Sequence, residues 1–332
     1  MTQNDNYGTW QIEPKDFPAS GLFIDKLNFF IKYGSLAPSV HNSQPWSVSV
    51  VDETIELKMN SSRLLEHADP GNHYVYFALG AFAANVQWCS SYFGYSAMIE
   101  YVDNKVKISF KECAPDLGTD PKAITKRFSD KRKYMNKVVP EYIIDRINEY
   151  TKKFTDVGVL FTQSETVKNS IIYGHIKASE KLSKNQFFVT ELTKSMKSNT
   201  TKSKFGMPGF VVGMSNIQSI LIRKLLSKKP KLFQKLIIKE RDVLNNTQGF
   251  GLINISRIQV EEMVRAGIVY QLISLVFSHY GVSNAPLTAL AFDDDSAGKL
   301  CHDLKLSGKI VLLFRFGYPV DSKPLHTPRE AI

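Results

Sequence analysis

The chain predicts an α+β fold with mainly antiparallel sheets flanked by helices. Two observations carry this reading. Short alternating runs occur in pairs around two-residue polar turns, the pattern of β-hairpins. Amphipathic helical stretches separate these pairs without the regular strand–helix–strand rhythm of a doubly wound sheet.

The first helix spans 21–34, where Leu22, Phe23, Leu27, Phe30 and Ile31 recur at helical spacing. Pro38 blocks its continuation, because proline is excluded from helix interiors and its predecessor is pushed out of the α region. Strands follow at 46–51 and 54–59, joined at Asp52-Glu53. An apolar helix over 75–93 runs through Leu79, Ala83, Val86 and Phe93, and strands at 97–102 and 105–111 turn at Asp103-Asn104. Later helices are expected at 120–128, 140–153, 165–184, 258–280 and 296–303, and later strands at 157–162, 249–255 and 308–315. Gly206 to Gly213 is broken too often by glycine and proline to be a regular helix. Ile217 to Leu226 is helical by pattern, and Lys228-Lys229-Pro230-Lys231 interrupts it.

With 332 residues, 43% of them hydrophobic, the chain can bury a substantial core. No stretch approaches the roughly 20 apolar residues of a membrane span. The first residues lack the basic start and apolar core of a secretion signal. Cys89, Cys113 and Cys301 are odd in number with no C-x-x-C spacing, so neither a disulfide framework nor a zinc site is expected, and a cytoplasmic location is. The net charge of +10 sits in one place. Residues 181–241 hold fourteen Lys or Arg against two acids, a local +12, and the remainder is −2.

Three segments carry candidate chemistry. The bend after the first helix reads Pro38-Ser39-Val40-His41-Asn42-Ser43-Gln44-Pro45-Trp46 and exposes backbone N–H groups. By composition alone it is a helix-to-strand turn with Trp46 in the core. Arg127, Ser129 and Lys131 form an R-x-S-x-K series with two cations and a hydroxyl, a donor set suited to a phosphate dianion. Late in the chain, Gly281-Val282-Ser283-Asn284-Ala285-Pro286-Leu287-Thr288-Ala289 follows a long apolar helix. There is no G-x-G-x-x-G after a strand, no Walker loop and no H-E-x-x-H. The histidines show no metal-ligand spacing, so no metal is expected. Asp293-Asp294-Asp295 reads as a turn or helix start.

These segments together resemble the FMN-dependent nitroreductases. P-S-x-x-N-x-Q-P-W resembles the family's loop facing the flavin ring, R-x-S-x-K its phosphate signature, and the 286–289 segment the stretch beneath the flavin's pyrimidine edge. Thr327-Pro328-Arg329 resembles a terminal phosphate-contacting arginine. Related sequences often carry Glu-Gly where this chain has Thr288-Ala289, so a backbone donor survives there but a carboxylate contact does not. The order of motifs also departs from an ordinary family member: the P-S-x-x-N loop precedes R-x-S here. That order resembles the family's fused branch, in which one chain holds two degenerate halves.

The resemblance implies a nitroreductase-like fold of two related halves, 1–118 carrying the ring loop and 119–332 carrying the phosphate clamp. A poorly matched basic insertion lies at about 186–248. It implies one FMN held by Pro38, Ser39, Asn42, Arg127, Ser129, Lys131, Pro286, Leu287, Thr288, Ala289 and Arg329, with no catalytic side chain. Hydride would pass from NAD(P)H through FMN to a quinone or nitroaromatic, in a monomeric pseudo-dimer. The alternative is a flavin-sequestering protein with a closed lid. For the insertion, the favoured reading is a lid, with Met207 and Phe210 over the ring and Lys228 to Arg241 out in solvent. A basic arm over 217–241 on an anionic membrane surface competes with it, and nucleic-acid binding has no supporting motif.

Overall fold

The computed structural model describes residues 5–226 and 230–332. Helix α1 (Phe23–Gly34) leads into the hairpin β1 (Trp46–Val51) and β2 (Thr54–Met59). Helix α2 (His73–Tyr92) and a second hairpin, β3 (Tyr95–Val102) and β4 (Lys105–Glu112), follow. The later part contains α3 (Lys122–Lys126), α4 (Glu141–Thr151), β5 (Val157–Thr162), α5 (Glu165–Leu182) and α6 (Gln186–Ser195). Next come β6 (Met196–Lys197), β7 (Met207–Pro208), α7 (Asn216–Leu225), α8 (Pro230–Asn245) and β8 (Gly249–Ile255). The last elements are α9 (Val260–His279), β9 (Ser283–Leu287), α10 (Asp294–Asp303) and β10 (Lys309–Gly317).

Two four-stranded antiparallel sheets have the orders β1-β2-β4-β3 and β5-β8-β10-β9. These are the same arrangement: two strands, a long helix, then two strands. Both turns of the first sheet place their residues at positive φ, with Asp52 at 46°, Glu53 at 60°, Asp103 at 52° and Asn104 at 59°. That geometry matches the right-handed twist of a tight hairpin. In the second sheet the equivalent of the first turn is replaced by residues 163–248, which leave after β5 and return at β8.

The long helices α2 and α9 lie against each other at the centre, and each buries fifteen of its twenty residues. A helix apolar all round belongs in a core, and here each supplies the other's cover. Their approach is reciprocal. A Cβ on Gly80 would overlap the Val264 carbonyl oxygen, and one on Gly267 would overlap that of Phe77. Residues 80 and 267, like 77 and 264, are 187 positions apart, as are the first and last residues of the two helices. No stretch of the sequence displays this repeat. Across the same contact, Gln271 Nε2 donates to Asn85 Oδ1 at 2.6 Å, and Asn85 Nδ2 donates to the Tyr33 carbonyl at 3.0 Å.

Two expectations change. The helix expected over 120–128 stops at Lys126, because Arg127 is extended (φ −67°, ψ 132°) and Ser129 bridges to Asn284. Residues 283–287, expected only as a ligand-contacting segment, are the edge strand β9. Asp293 to Asp295 do start a helix; buried Asp293 accepts from Ser296 Oγ at 2.6 Å and pairs with Lys181.

Candidate functional site

A cavity of about 440 Å3 is lined by segments from both repeats and from the excursion between β5 and β8. Its size falls in the range of roughly 300–1,000 Å3 usual for cofactor and ligand sites.

The bend after α1 forms one wall. His41, Asn42 and Gln44 all sit at positive φ (50°, 57° and 52°), a conformation that costs energy for residues other than glycine. Distant segments hold it there. Asn42 Nδ2 donates to the Gly206 carbonyl at 3.1 Å and to the Pro328 carbonyl at 2.9 Å, while its Oδ1 accepts from Arg329. Gln44 Nε2 donates to the Lys204 carbonyl at 2.7 Å, and its Oε1 accepts from the Glu330 N–H at 3.0 Å. Ser39 Oγ accepts from the Gln44 N–H at 2.9 Å. The polar residues of P-S-x-x-N-x-Q therefore tie three remote pieces of chain together. Arg63 adds a further tie, pairing with Glu330 and donating to the Gln44 carbonyl at 3.0 Å.

The second wall is residues 127–131, laid along β9. Ser129 bridges to Asn284, and the Asp130 N–H donates to the Asn284 carbonyl at 3.0 Å. In extended chain, alternate residues share a side, so the R-x-S-x-K spacing groups Arg127, Ser129 and Lys131. All three line the cavity. Arg315 holds this strip from behind, donating to the carbonyls of Asp130 and Arg132 at 2.8 Å each.

The charges here are not balanced by the protein. Arg127, Lys131, Lys239, Arg315 and Arg329 line the cavity, and Glu240 is the one acid among the described lining residues. Arg127 is buried, and its Nε and Nη1 have no hydrogen-bond partner. Burial lowers its pKa, offset in part by Tyr270. Arg329 is pulled to about 9 by burial and by Arg127, and its Nε is unpartnered. Lys131 lines the cavity and keeps exposed surface; burial lowers its pKa, against the attraction of Glu240. His41 is depressed to about 4 by burial and then Lys131, and His326 to about 3 by burial and then Arg127 and Arg329. Glu240 is shared: it lies 3.5 Å from His175 Nε2 and also attracts Lys131 and Arg315, one acid among five cations. Buried charge without a partner is costly. The donor set of Arg127, Ser129 and Lys131 thus fits a phosphate.

All eleven residues expected to hold a cofactor line this one cavity: Pro38, Ser39, Asn42, Arg127, Ser129, Lys131, Pro286, Leu287, Thr288, Ala289 and Arg329. Three of them are already engaged, Ser39 through the bond that its Oγ accepts from the Gln44 N–H. The Asn42 amide is used within the fold, and the Arg329 Nη atoms donate to Asn42, Thr327 and the carbonyls of Pro328, Leu36 and Ala37. Met207 lines the cavity, but Phe210 does not; Val211 and Val212 stand there instead. The expectation that Lys228 to Arg241 lie out in solvent holds for the exposed Lys235, Lys239 and Arg241 but not for α8 as a whole. Phe233, Leu236, Ile237, Lys239 and Glu240 form part of the cavity wall, because α8 packs its apolar face inward. Lys228 and Lys229 lie outside the described residues.

Sequence reading missed Trp10 and His326. Their rings stack at 3.8 Å and 8°, Trp10 Nε1 donates to the Thr327 carbonyl at 2.9 Å, and Arg329 lies over the Trp10 ring. Partners more than 300 positions apart leave no local signal. Among the described residues no His, Cys, Asp and Glu cluster could hold a metal, and no helix is long and apolar enough to cross a membrane.

No family model matches the chain, and no curated protein matches it either. Solved structures with similarity include the FMN-dependent nitroreductase NfnB from Mycobacterium smegmatis in complex with NADPH, at 12% identity and TM-score 0.41, covering 60% of this chain and 87% of that one. A nitroreductase with bound FMN from Desulfitobacterium hafniense is similar at 15% identity and TM-score 0.39, covering 62% and 92%. A BluB-like flavoprotein from Clostridium difficile is similar at 13% identity and TM-score 0.43, covering 65% and 95%.

Proposed function

We propose that this protein is an FMN-binding oxidoreductase of the nitroreductase type, passing hydride from NAD(P)H to a small oxidised acceptor such as a quinone or nitroaromatic. The observation that carries the reading is the excess of cations, five against one acid among the described lining residues, with buried Arg127 partly unpartnered, in a cavity shared by both repeats. Arg127 supplies unused N–H donors, and Lys131 and Ser129 stand beside it on one strip. Bound FMN would supply the redox chemistry, accepting a hydride and returning it to an acceptor.

The chain's own part is to hold, orient and exclude water. Arg127, Ser129 and Lys131 would hold the phosphate through charge-assisted bonds. Arg329 acts mainly through Asn42, fixing the bend that forms the opposite wall. Pro38, Ser39 and the 286–289 segment provide a rigid surface for a planar ring, and Met207, Val211, Phe233 and Ile237 give the cavity an apolar cover. No side-chain nucleophile is needed.

Purified protein should release one FMN per chain. Arg127→Ala should weaken FMN binding by at least about tenfold, since a lost charged hydrogen bond is worth roughly 1.5–3 kcal/mol. Anaerobic NADPH should bleach the bound flavin in a single turnover. Two FMN per chain, FAD in place of FMN, or an Arg127→Ala variant that keeps its flavin would each overturn the one-site assignment. A flavin that stays yellow under NADPH would point to sequestration instead.

A further inference from the structure

We infer that α7, with the basic chain around it, is a docking surface for an anionic lipid membrane. The inference stands apart from the cofactor reading. Helix α7 is apolar on two sides. Its inner side carries Ser219, Ile222 and Leu226, all buried, the two aliphatic residues in a cluster with Phe188, Val189 and Met196. Its outer side carries Ile217, Ile220 and Leu221, which are 71%, 50% and 46% exposed. Positions i, i+3 and i+4 are neighbours on a helix, so the three form one aliphatic patch. Single exposed apolar residues are ordinary, whereas a contiguous group marks a contact surface.

The patch is held firmly. Ser215 caps the helix by accepting from the Gln218 N–H at 3.3 Å, and the Gln218 side chain accepts from the Ser215 N–H at 2.9 Å. Ser219 Oγ accepts from the Asn199 N–H at 3.1 Å, pinning the inner side to the rest of the excursion. The outer patch is therefore presented on an anchored helix, with about half or more of each side chain open to solvent.

Charge identifies the partner. Residues 192–239 contain eleven Lys or Arg and no Asp or Glu. Arg223 and Lys224 follow Ile220 by three and four positions on α7 itself, and Lys194, Lys202 and Lys235, elsewhere in this stretch, are exposed. A helix that carries aliphatic and basic positions together, within a chain stretch free of acids, suits the headgroup–acyl boundary, where one group enters hydrocarbon and the other meets lipid phosphate. Each basic residue near an anionic surface strengthens binding roughly fivefold. Nucleic acid would satisfy the charge but gives no return for exposed isoleucine, since bases stack on aromatic rings. A second copy would bring two surfaces of like charge together.

Sedimentation of the full chain with vesicles tests this. Binding is expected to mixed phosphatidylcholine–phosphatidylglycerol vesicles, not to phosphatidylcholine alone, with release as salt rises. Ile217→Asp with Ile220→Asp should lower the bound fraction by at least about tenfold, because two aliphatic side chains no longer leave water. Arg223→Glu with Lys224→Glu should do the same through charge. Circular dichroism and the melting temperature report whether each variant folds, and Ile217→Ser with Leu221→Ser replaces the aspartates if they unfold α7. Failure to bind anionic vesicles would overturn the inference. So would wild-type binding by a folded isoleucine variant, or tighter binding to single-stranded RNA than to the vesicles.

Discussion

Asn42 shows how a residue picked out for one task can be occupied by another. Its type and position in P-S-x-x-N suggested a ring contact, yet its amide joins the bend to Gly206, Pro328 and Arg329. Asn42→Ala is expected to cost about 2–3 kcal/mol, because it strands two buried carbonyls and part of a buried guanidinium. Urea unfolding would measure that, and trypsin should cut faster after Lys202 and Lys204 as the tie at Gly206 is lost. The candidate anion site was legible in Arg127, Ser129 and Lys131 because alternation along an extended strip is local. The engagement of Asn42 was not, since its partners lie 164 and 286 positions away. Protons should matter at the same site. His41 and His326 are neutral in the fold, with pKa values near 4 and 3, but titrate at their ordinary 6.5 when unfolded. Unfolded chain then binds protons that folded chain refuses, so their contribution is complete above pH 6.5 and declines as pH falls towards 4. His41 alone accounts for a loss on the order of 3 kcal/mol across that window. Urea midpoints between pH 7 and 5 should fall accordingly, and fall less with FMN present, whose phosphate would raise both histidines.

At the scale of elements, the decisive contact is between α2 and α9. Gly80→Ala places a methyl group against the Val264 carbonyl, and Gly267→Ala repeats the insult at Phe77. Each should destabilise by about 2–3 kcal/mol, the usual range for overpacking a core. The pair should cost less than the two separately, because a helix spacing widened once already accommodates the second methyl. Chemical denaturation of the three variants checks both statements. Most helices and strands were readable because their patterns are periodic: the two hairpins of the first sheet carry alternating residues around Asp52-Glu53 and Asp103-Asn104. Strand β9 was not readable, since Ser283-Asn284-Ala285-Pro286-Leu287 has neither alternation nor β-branched residues. Its strand character comes from Arg315 and its neighbours on β10. Helix α8 misled for the opposite reason. Its lysines dominated the reading, while Phe233, Leu236, Ile237 and Leu244 decide which way it faces.

For the whole molecule, neither repeat can bury its long helix alone, because α2 and α9 each bury fifteen of twenty residues and pack on one another. Residues 1–118 and 119–332 expressed separately should be insoluble or molten, and should recover native circular dichroism when refolded together. A soluble, cooperatively melting fragment would show that one repeat suffices. The cavity depends on the same wholeness, and most visibly on residues 325–330. Trp10, Asn42 and Gln44 wait for partners that leave the ribosome after both four-stranded sheets have emerged. During synthesis the two sheets can therefore pair while the bend after α1 is still unlatched. The wall that the bend contributes to the cavity is fastened only by the segment arriving behind it.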